Sequence, residues 1–176
     1  DLGERLKKQS KIKKGATIFG YLVKDPKKYG VIGFSEEGKI INIEEKPSDP
    51  SSNWAVTGLY FYDSSVVEKA KTLIPSERGE LEITDLNKLF IKEGSLRVEC
   101  FGRGLTWLDT GSFDSLYEAN NFIKTIQSSQ SLKVGCPEEV AWRMGWIDDE
   151  KLIRIGESMD KSGYGDYLVD LVKYIK

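Results

Sequence analysis

The chain has 176 residues, with 26 Lys and Arg against 28 Asp and Glu, so its formal net charge is −2. This near balance of charge argues against a nucleic-acid partner, and the length is sufficient to bury a sizeable core in one domain or a little more. The sequence contains no histidine, which excludes any mechanism with a histidine base and disfavours a zinc site.

Cysteine content and hydropathy indicate the cellular location of the chain. Cys100 and Cys136 are the two cysteines, and their spacing is not that of a metal motif. Two unpatterned cysteines predict a reducing, cytoplasmic location without a disulfide framework. No segment approaches the ~20 apolar residues that a membrane span needs, so no membrane partner is predicted.

The first part of the chain predicts a helix followed by strands. Lys14-Gly15 suits the end of that helix, and Gly38 suits a hairpin turn because glycine tolerates positive φ. In chain order the predicted elements are a helix over 1–13, a buried strand over 17–23, a hairpin of strands 31–34 and 39–44, and a strand over 56–62.

In the second part of the chain, from Ser64 onward, helices and strands are predicted first, and only helices beyond residue 127. The predicted elements are a helix from an N-cap at Ser64 to Leu73, a helix over 86–93 ended by Gly94, a strand over 96–101, a short strand over 105–111, and a long helix from Ser112 carrying Leu116, Ala119, Ile123 and Ile126 on one face. Beyond residue 127, Pro137 begins a helix, Gly145 ends it, Asp148 caps the next, and a last helix spans 164–175. Strands alternating with helices, then helices alone, predict an α/β fold with a C-terminal α-helical appendage.

The stretch 41–63 has the features of a site between two strands. Glu45 and Lys46 follow an alternating strand that Pro47 stops, and Gly58 interrupts the next strand. A strand glycine marks either a close approach by a ligand or a simple bulge, and charges at a strand end are either functional or a solvated rim. Both interpretations remain open at this level.

Other charged and aromatic residues also allow either a functional or a structural role. Asp109 is a candidate Mg²⁺ ligand, or alternatively an N-cap of the helix near Ser112. Lys46 and Arg78 are candidate phosphate partners, or alternatively surface ion pairs. Trp54 and Trp107 are either platforms for a sugar or core aromatics.

Several motifs together resemble those of the sugar nucleotidyltransferase family, and in particular its glucose-1-phosphate thymidylyltransferase branch. EEKP and WLDTG are found across the wider family, whereas RGELEITD followed by the CPEE segment is narrower and favours the thymidylyl branch. The matching stretches are YGV (29–31), EEKP (44–47), VTGLYFYD (56–63), RGELEITD (78–85), WLDTG (107–111) and LKVGCPEEVAWR (132–143).

The resemblance implies a fold, a reaction and a set of site residues. The fold would be part of a Rossmann-like mixed sheet flanked by helices, with residues 1–127 forming the sugar-phosphate-binding half and residues 128–176 a regulatory and oligomerisation segment. The reaction would be attack of the glucose 1-phosphate oxygen on the α-phosphorus of dTTP, giving a dTDP-sugar and pyrophosphate with Mg²⁺ as the metal. The implied roles are hexose binding by Gly30, Glu45, Val56 and Tyr60, phosphate binding and catalysis by Lys46 and Arg78, a pocket wall by Trp107, catalysis and Mg²⁺ binding by Asp109, and a second, regulatory nucleotide site containing Arg103, Lys133, Glu139 and Arg143.

The chain also departs from the family pattern. It lacks the family's N-terminal half, with the glycine-rich triphosphate loop, the base-reading residues and the first metal carboxylate. We therefore expect the C-terminal part of such an enzyme, inactive alone and binding dTTP weakly, in a protein that forms tetramers as family members do. The alternatives are a uridylyl- or adenylyltransferase of the same family, and a free-standing sugar-phosphate- or nucleotide-binding regulatory module.

Overall fold

The computed structural model describes residues 2–159 and 163–174. Asp1 and Ile175, which the sequence assigns to the first and last helices, lie outside the described residues. The chain divides into two compact units, Asp1–Trp107 and Leu108–Lys176, which are described separately below. The functional division at residue 127 stays a prediction.

The first unit is built on a five-stranded mixed sheet. Its strand order is β3-β2-β4-β1-β5, in which β1 runs antiparallel to β4 and parallel to β5, and β2 runs antiparallel to β3 and β4. The elements are α1 (Leu2–Ser10), β1 (Ala16–Leu22), a 3-10 turn (Pro26–Lys28), β2 (Gly30–Phe34), β3 (Ile40–Glu45), β4 (Trp54–Tyr62), α2 (Val66–Lys71), α3 (Ile83–Lys92) and β5 (Leu96–Cys100). This mixed sheet with flanking helices confirms the predicted α/β fold class.

The core of this unit lies between the sheet and α3. Ile18, Ile32 and Ile43 come from three strands and are fully buried, and Phe90 of α3 packs with them. The near-continuous apolar run of β1 is explained by its position, since β1 is hydrogen-bonded on both sides and its first five residues are buried.

Strand register is irregular at two places, and this changes which strand residues are buried and which are exposed. Between β2 and β3, Gly33 pairs with Asn42 but Phe34 pairs with Ile40, so Ile41 is an extra residue and is exposed while Ile43 is buried. Between β1 and β4, Ile18 pairs with Tyr60 while Gly20 pairs with Val56, so Gly58 lies in the irregular segment.

Gly58 therefore lies in a bulge, and no other part of the described chain approaches it closely. A Cβ placed on Gly58 meets no atom within 4 Å. The register shift supports the bulge interpretation, and close approach by a ligand stays a prediction.

Two local expectations were wrong. The N-cap of α2 is Ser65 and not the expected Ser64, and Asp63 Oδ1 accepts hydrogen bonds from the Ser65 amide at 2.9 Å and hydroxyl at 2.5 Å. Residues 105–111 form no strand, although their apolar and polar pattern predicted one.

The second unit contains only helices among its described residues. These are α4 (Phe113–Gln130), α5 (Pro137–Arg143), α6 (Asp149–Ser158) and α7 (Gly163–Tyr174), and α6 and α7 bury Leu152, Leu168 and Leu171 between them. Asp148 caps α6 as predicted, since its Oδ1 accepts from the Lys151 amide at 2.8 Å. In the described part of the chain, no helix combines the length and the apolar character needed to cross a bilayer.

Candidate functional site

Four residues from separate elements meet at the end of β3. Glu45 pairs with Gly30 across the β2–β3 ladder. A Cβ placed on Gly30 would lie 3.3 Å from Thr84 Oγ1, 3.4 Å from Glu45 Oε2 and 3.7 Å from Val56 Cβ. Gly30 therefore lets these three side chains come together, because even a methyl group there would be in tighter than ordinary contact with Thr84.

Thr84 is a member of this group that sequence reasoning missed. Its hydroxyl donates to Glu45 Oε2 at 2.5 Å, and the residue is 3 % exposed. It lies in the first turn of α3, inside the 78–85 motif, and that motif was the only signal that could have identified it. The bond fixes one Glu45 oxygen, so the other remains to accept from a ligand.

Lys46 follows Glu45 in a strained backbone conformation. Its φ is +45°, in the left-handed region that non-glycine residues rarely occupy, and its amide donates to the Tyr29 carbonyl at 3.0 Å. Its Nζ lies 4.0 Å from Glu45 Oε1. Strain of this kind persists only where surrounding structure enforces it, and it is concentrated at functional sites.

Arg78 is held by two carboxylates. Its Nη2 lies 2.8 Å from Glu82 Oε1 and 3.0 Å from Glu80 Oε2, and Ser76 Oγ donates to the same Glu82 oxygen at 2.9 Å. The hydrogen bond from Arg78, and then the one from Ser76, lower the pKa of Glu82. Sequence reasoning missed Glu82, which is the residue that precedes α3.

Electrostatic effects show that these charges lie close together. Lys46 contributes to the lowered pKa of Glu82. The hydrogen bond with Glu82 is the largest cause of the raised pKa of Arg78, and the charge of Glu45 is a smaller one. The two predicted phosphate partners thus lie within reach of the same carboxylates, beside the Gly30 group.

Tyr60 borders the same group from β4. Burial raises its pKa, and the negative charge of Glu45 raises it further. Its ring stacks on Tyr62 with centroids 5.9 Å apart and planes inclined by 7°. The Tyr62 hydroxyl donates to Asn87 Oδ1 at 2.6 Å, so the stack is tied to α3.

The two candidate tryptophans occupy different surroundings. Trp107 packs against Tyr29 with centroids 5.1 Å apart and against Tyr21 with centroids 5.8 Å apart, and Tyr29 directly precedes Gly30. Trp54 instead packs against the apolar core of the sheet, which supports the core interpretation. Trp107 therefore belongs to an aromatic cluster with Tyr21 and Tyr29, and its role as a pocket wall stays a prediction.

Asp109 lies in the second unit and is exposed. It is not the cap of α4, because Ser112 caps that helix and exchanges hydrogen bonds with Ser115. Across residues 2–159 and 163–174 no three cysteine, aspartate or glutamate side chains are grouped closely enough to hold a metal ion. A single exposed carboxylate suits one position on Mg²⁺, which takes one or two carboxylates together with substrate phosphates.

Three of the four residues predicted for a second nucleotide site gather in the second unit. Glu139 accepts through Oε1 from Arg143 Nε at 2.7 Å and through Oε2 from the Tyr167 hydroxyl. The Lys133 backbone also hydrogen-bonds Tyr167, whose pKa is raised first by burial and then by the bond to Glu139. Arg103 belongs to the first unit, on an exposed turn. Tyr167 was not identified from the sequence.

Comparison with known proteins gives consistent matches. The model of the family described as nucleotidyl transferase matches residues 1–126. A glucose-1-phosphate thymidylyltransferase from Neisseria meningitidis is 54 % identical over 159 residues, which is 90 % of this chain and 55 % of that protein. One from Mycobacterium tuberculosis is 52 % identical over 172 residues, or 98 % of this chain and 59 % of that protein.

A solved structure agrees with these matches. A Bacillus anthracis protein named as a glucose-1-phosphate thymidylyltransferase and crystallised with sucrose superposes with a TM-score of 0.61 at 42 % identity. The superposition covers 69 % of this chain and 48 % of that one. The chain thus spans about half the length of the relatives it matches.

Proposed function

The chain belongs to the nucleotidyl transferase family, and from that premise we propose that it carries the sugar-phosphate half of a glucose-1-phosphate thymidylyltransferase. The observation that carries the proposal is the convergence of Gly30, Glu45, Val56 and Thr84 beside the cationic side chains of Lys46 and Arg78. A carboxylate oxygen that can accept hydrogen bonds suits the hydroxyls of a hexose, and two cations suit its phosphate.

The residues have distinct tasks in this proposal. Glu45, with one oxygen held by Thr84, accepts hydrogen bonds from sugar hydroxyls, and Tyr60 and Trp107 form walls of the pocket. Lys46 and Arg78 hold the sugar phosphate. To do so, Arg78 exchanges its contacts with Glu80 and Glu82 for phosphate oxygens, which its planar guanidinium binds in pairs.

The chemistry needs no protein base. A phosphate oxygen of glucose 1-phosphate attacks the α-phosphorus of dTTP, the bond to the β-phosphate oxygen breaks, and pyrophosphate leaves as the dTDP-sugar forms. The attacking oxygen is already ionised, so catalysis consists of orientation and charge neutralisation, in keeping with a chain that lacks histidine. Mg²⁺ would supply charge neutralisation on the phosphates, with Asp109 as one of its carboxylate ligands.

The rest of the assignment follows from the same premise. We propose that the matched half of the relatives is their C-terminal part, because the chain contains the EEKP and WLDTG motifs and no glycine-rich triphosphate loop. Residues 1–127 would bind the sugar phosphate, and residues 128–176 would serve regulation and assembly into a tetramer. A cytoplasmic location is supported by the free thiols of Cys100 and Cys136.

A second nucleotide site is also part of the proposal. Arg143, Lys133 and Arg103 would bind a nucleotide used for feedback, with Glu139 orienting Arg143. The 50 % exposed Arg143 side chain supports this role, because its guanidinium is accessible to an anionic ligand.

The test is nucleotidyl transfer by the product of the complete reading frame. Glucose 1-phosphate and Mg²⁺ are supplied with dTTP, UTP or ATP, and pyrophosphate release is measured. We expect the highest turnover with dTTP, no release by the 176-residue chain alone, and loss of release in Lys46→Ala. A preference for UTP or ATP would replace the thymidylyl assignment by another within the family.

Reading the coding sequence upstream of the Asp1 codon tests the half-enzyme assignment separately. We expect the frame to continue through a glycine-rich triphosphate loop. A start codon directly before Asp1 would instead support the free-standing binding module, and pyrophosphate release by the 176-residue chain would contradict the assignment outright.

A further inference from the structure

Helix α3 buries two polar residues on the face that packs against the sheet. Thr84 and Asn87 are three residues apart and so lie on the same side of the helix. Thr84 is 3 % exposed and Asn87 1 %, beside the apolar Leu86 and Phe90. Apolar side chains are the usual choice at such positions, so these two residues need a specific explanation.

Each of the two residues makes a hydrogen bond to a strand residue that borders the candidate site. Thr84 donates to Glu45 at 2.5 Å. Asn87 accepts from the Tyr62 hydroxyl at 2.6 Å, and the Tyr62 ring stacks on Tyr60. Helix α3 is thus hydrogen-bonded to β3 through Glu45, at the site itself. It is hydrogen-bonded to β4 through Tyr62, whose ring stacks on that of Tyr60.

The presence of Asn87 at this buried position is not explained by the stability of the folded state alone. In the part of the chain that the structure describes, its Nδ2 is buried and has no hydrogen-bond partner. A buried donor without a partner destabilises the folded state, whereas replacing a hydrogen-bonded pair by apolar groups of the same shape is close to neutral. An unpaired buried donor of this kind calls for an explanation other than folding stability.

We propose that Asn87 and Tyr62 are positioning residues that set the ring plane of Tyr60 and thereby the choice of sugar epimer. This inference rests on the proposed sugar-phosphate site. The Asn87–Tyr62 bond holds the Tyr62 ring, and the near-parallel stack passes its orientation to Tyr60, on the side of the pocket that Glu45 also borders. Specificity for a sugar depends on where such walls and hydrogen-bonding groups lie.

The test compares sugar phosphates with phosphate itself. Asn87→Leu and Tyr62→Phe remove the bond from either side, and calorimetry measures binding of glucose 1-phosphate, galactose 1-phosphate and inorganic phosphate to the 176-residue chain. We expect glucose 1-phosphate to bind about tenfold more weakly, with the preference over galactose 1-phosphate falling by about the same factor. Binding of inorganic phosphate should stay at the wild-type value, while the melting temperature should fall modestly because each variant leaves one partner of the bond unpaired.

A matched control removes another buried side-chain hydrogen bond from the same sheet. Thr17 donates to Gln9 Oε1 at 3.1 Å, and neither residue borders the site. Thr17→Val should lower stability but leave the epimer preference unchanged.

The possible results separate the inference from the proposed function. An unchanged epimer preference in both variants overturns the inference, and so does a parallel loss of all three ligands. A wild-type chain that binds inorganic phosphate but shows no preference for glucose 1-phosphate overturns the proposed sugar site, and the inference falls with it.

Discussion

The sugar end and the phosphate end of the candidate pocket are built from different interactions. At the sugar end, Glu45 has a side chain that is 26 % exposed and is fixed by the buried hydroxyl of Thr84. At the phosphate end, the side chains of Lys46 and Arg78 are 47 % and 44 % exposed, and Arg78 is engaged with carboxylates. One end is held by a short, partly buried hydrogen bond and the other by solvated charges.

This difference predicts two modes of recognition. Buried hydrogen bonds are fixed in advance and lose much affinity when a partner is removed. Exposed ion pairs contribute little to stability, are screened by salt, and can exchange one anion for another. The sugar end should therefore decide which ligand binds, while the phosphate end should supply salt-dependent attraction.

The largest expected effect comes from filling the sugar end. In Gly30→Ala the new methyl group would lie 3.3 Å from Thr84 Oγ1 and 3.4 Å from Glu45 Oε2, so it would displace the carboxylate that is proposed to bind the sugar. We expect calorimetry to show glucose 1-phosphate affinity reduced about 100-fold or more, as for a blocked subsite. In the control Gly33→Ala, on the same strand, the methyl meets the Ser51 hydroxyl at 3.2 Å, and affinity should change little.

A smaller effect should distinguish the two ends through the dependence of glucose 1-phosphate affinity on salt concentration. Arg78→Lys removes paired contacts to phosphate and should weaken glucose 1-phosphate binding about tenfold, with a shallower dependence on ionic strength. Thr84→Val removes the hydroxyl that holds Glu45 and should weaken binding by a similar factor without altering that dependence. If affinity depends equally on ionic strength in the two variants, the sugar end and the phosphate end do not differ in the way proposed.

Backbone strain at Lys46 offers a third test. Glycine tolerates a φ of +45° and alanine does not, so Lys46→Gly should unfold with a free energy about 1 kcal/mol higher than that of Lys46→Ala. Both variants lose the ammonium, so both should bind glucose 1-phosphate equally weakly. Equal stabilities in urea denaturation would show that the conformation is not strained.

The smallest expected effect is a pH dependence that arises away from the pocket. Hydrogen bonds from Ser65, and then from the Gly15 amide, lower the pKa of Asp63 below its ordinary 3.8. A lowered pKa stabilises the folded state above pH 3.8, and this contribution is lost as the pH falls through the folded value. Asp63→Asn should therefore show a weaker loss of stability in acid than the wild type, while its ligand binding stays unchanged.

The sequence was sufficient for most strands and for the charged members of the site. Val31 to Phe34 and the segment after Gly38 predicted the hairpin, and the apolar run from Thr17 predicted a buried strand, because each pattern is local. Glu45, Lys46 and Arg78 were identified through motifs, and the structure places them near one another.

What the sequence missed depends on contacts between distant residues. Thr84 and Asn87 resemble ordinary polar residues at a helix start, and only the packing of α3 on the sheet shows them to be buried. Ile41 alternates correctly with Ile43, but an extra residue in the register exposes it. Residues 105–111 have the composition of a strand and form none in this chain.

The most direct test of the account is whether the 176-residue chain recognises the sugar and not only the phosphate. Calorimetric titration with glucose 1-phosphate and with inorganic phosphate compares the two, in the wild type and in Glu45→Gln. We predict that the wild type binds glucose 1-phosphate at least about tenfold more tightly than phosphate, and that Glu45→Gln removes most of that difference. Equal affinity for the two ligands, or a preference that Glu45→Gln leaves intact, would contradict the assignment of this pocket to a sugar phosphate.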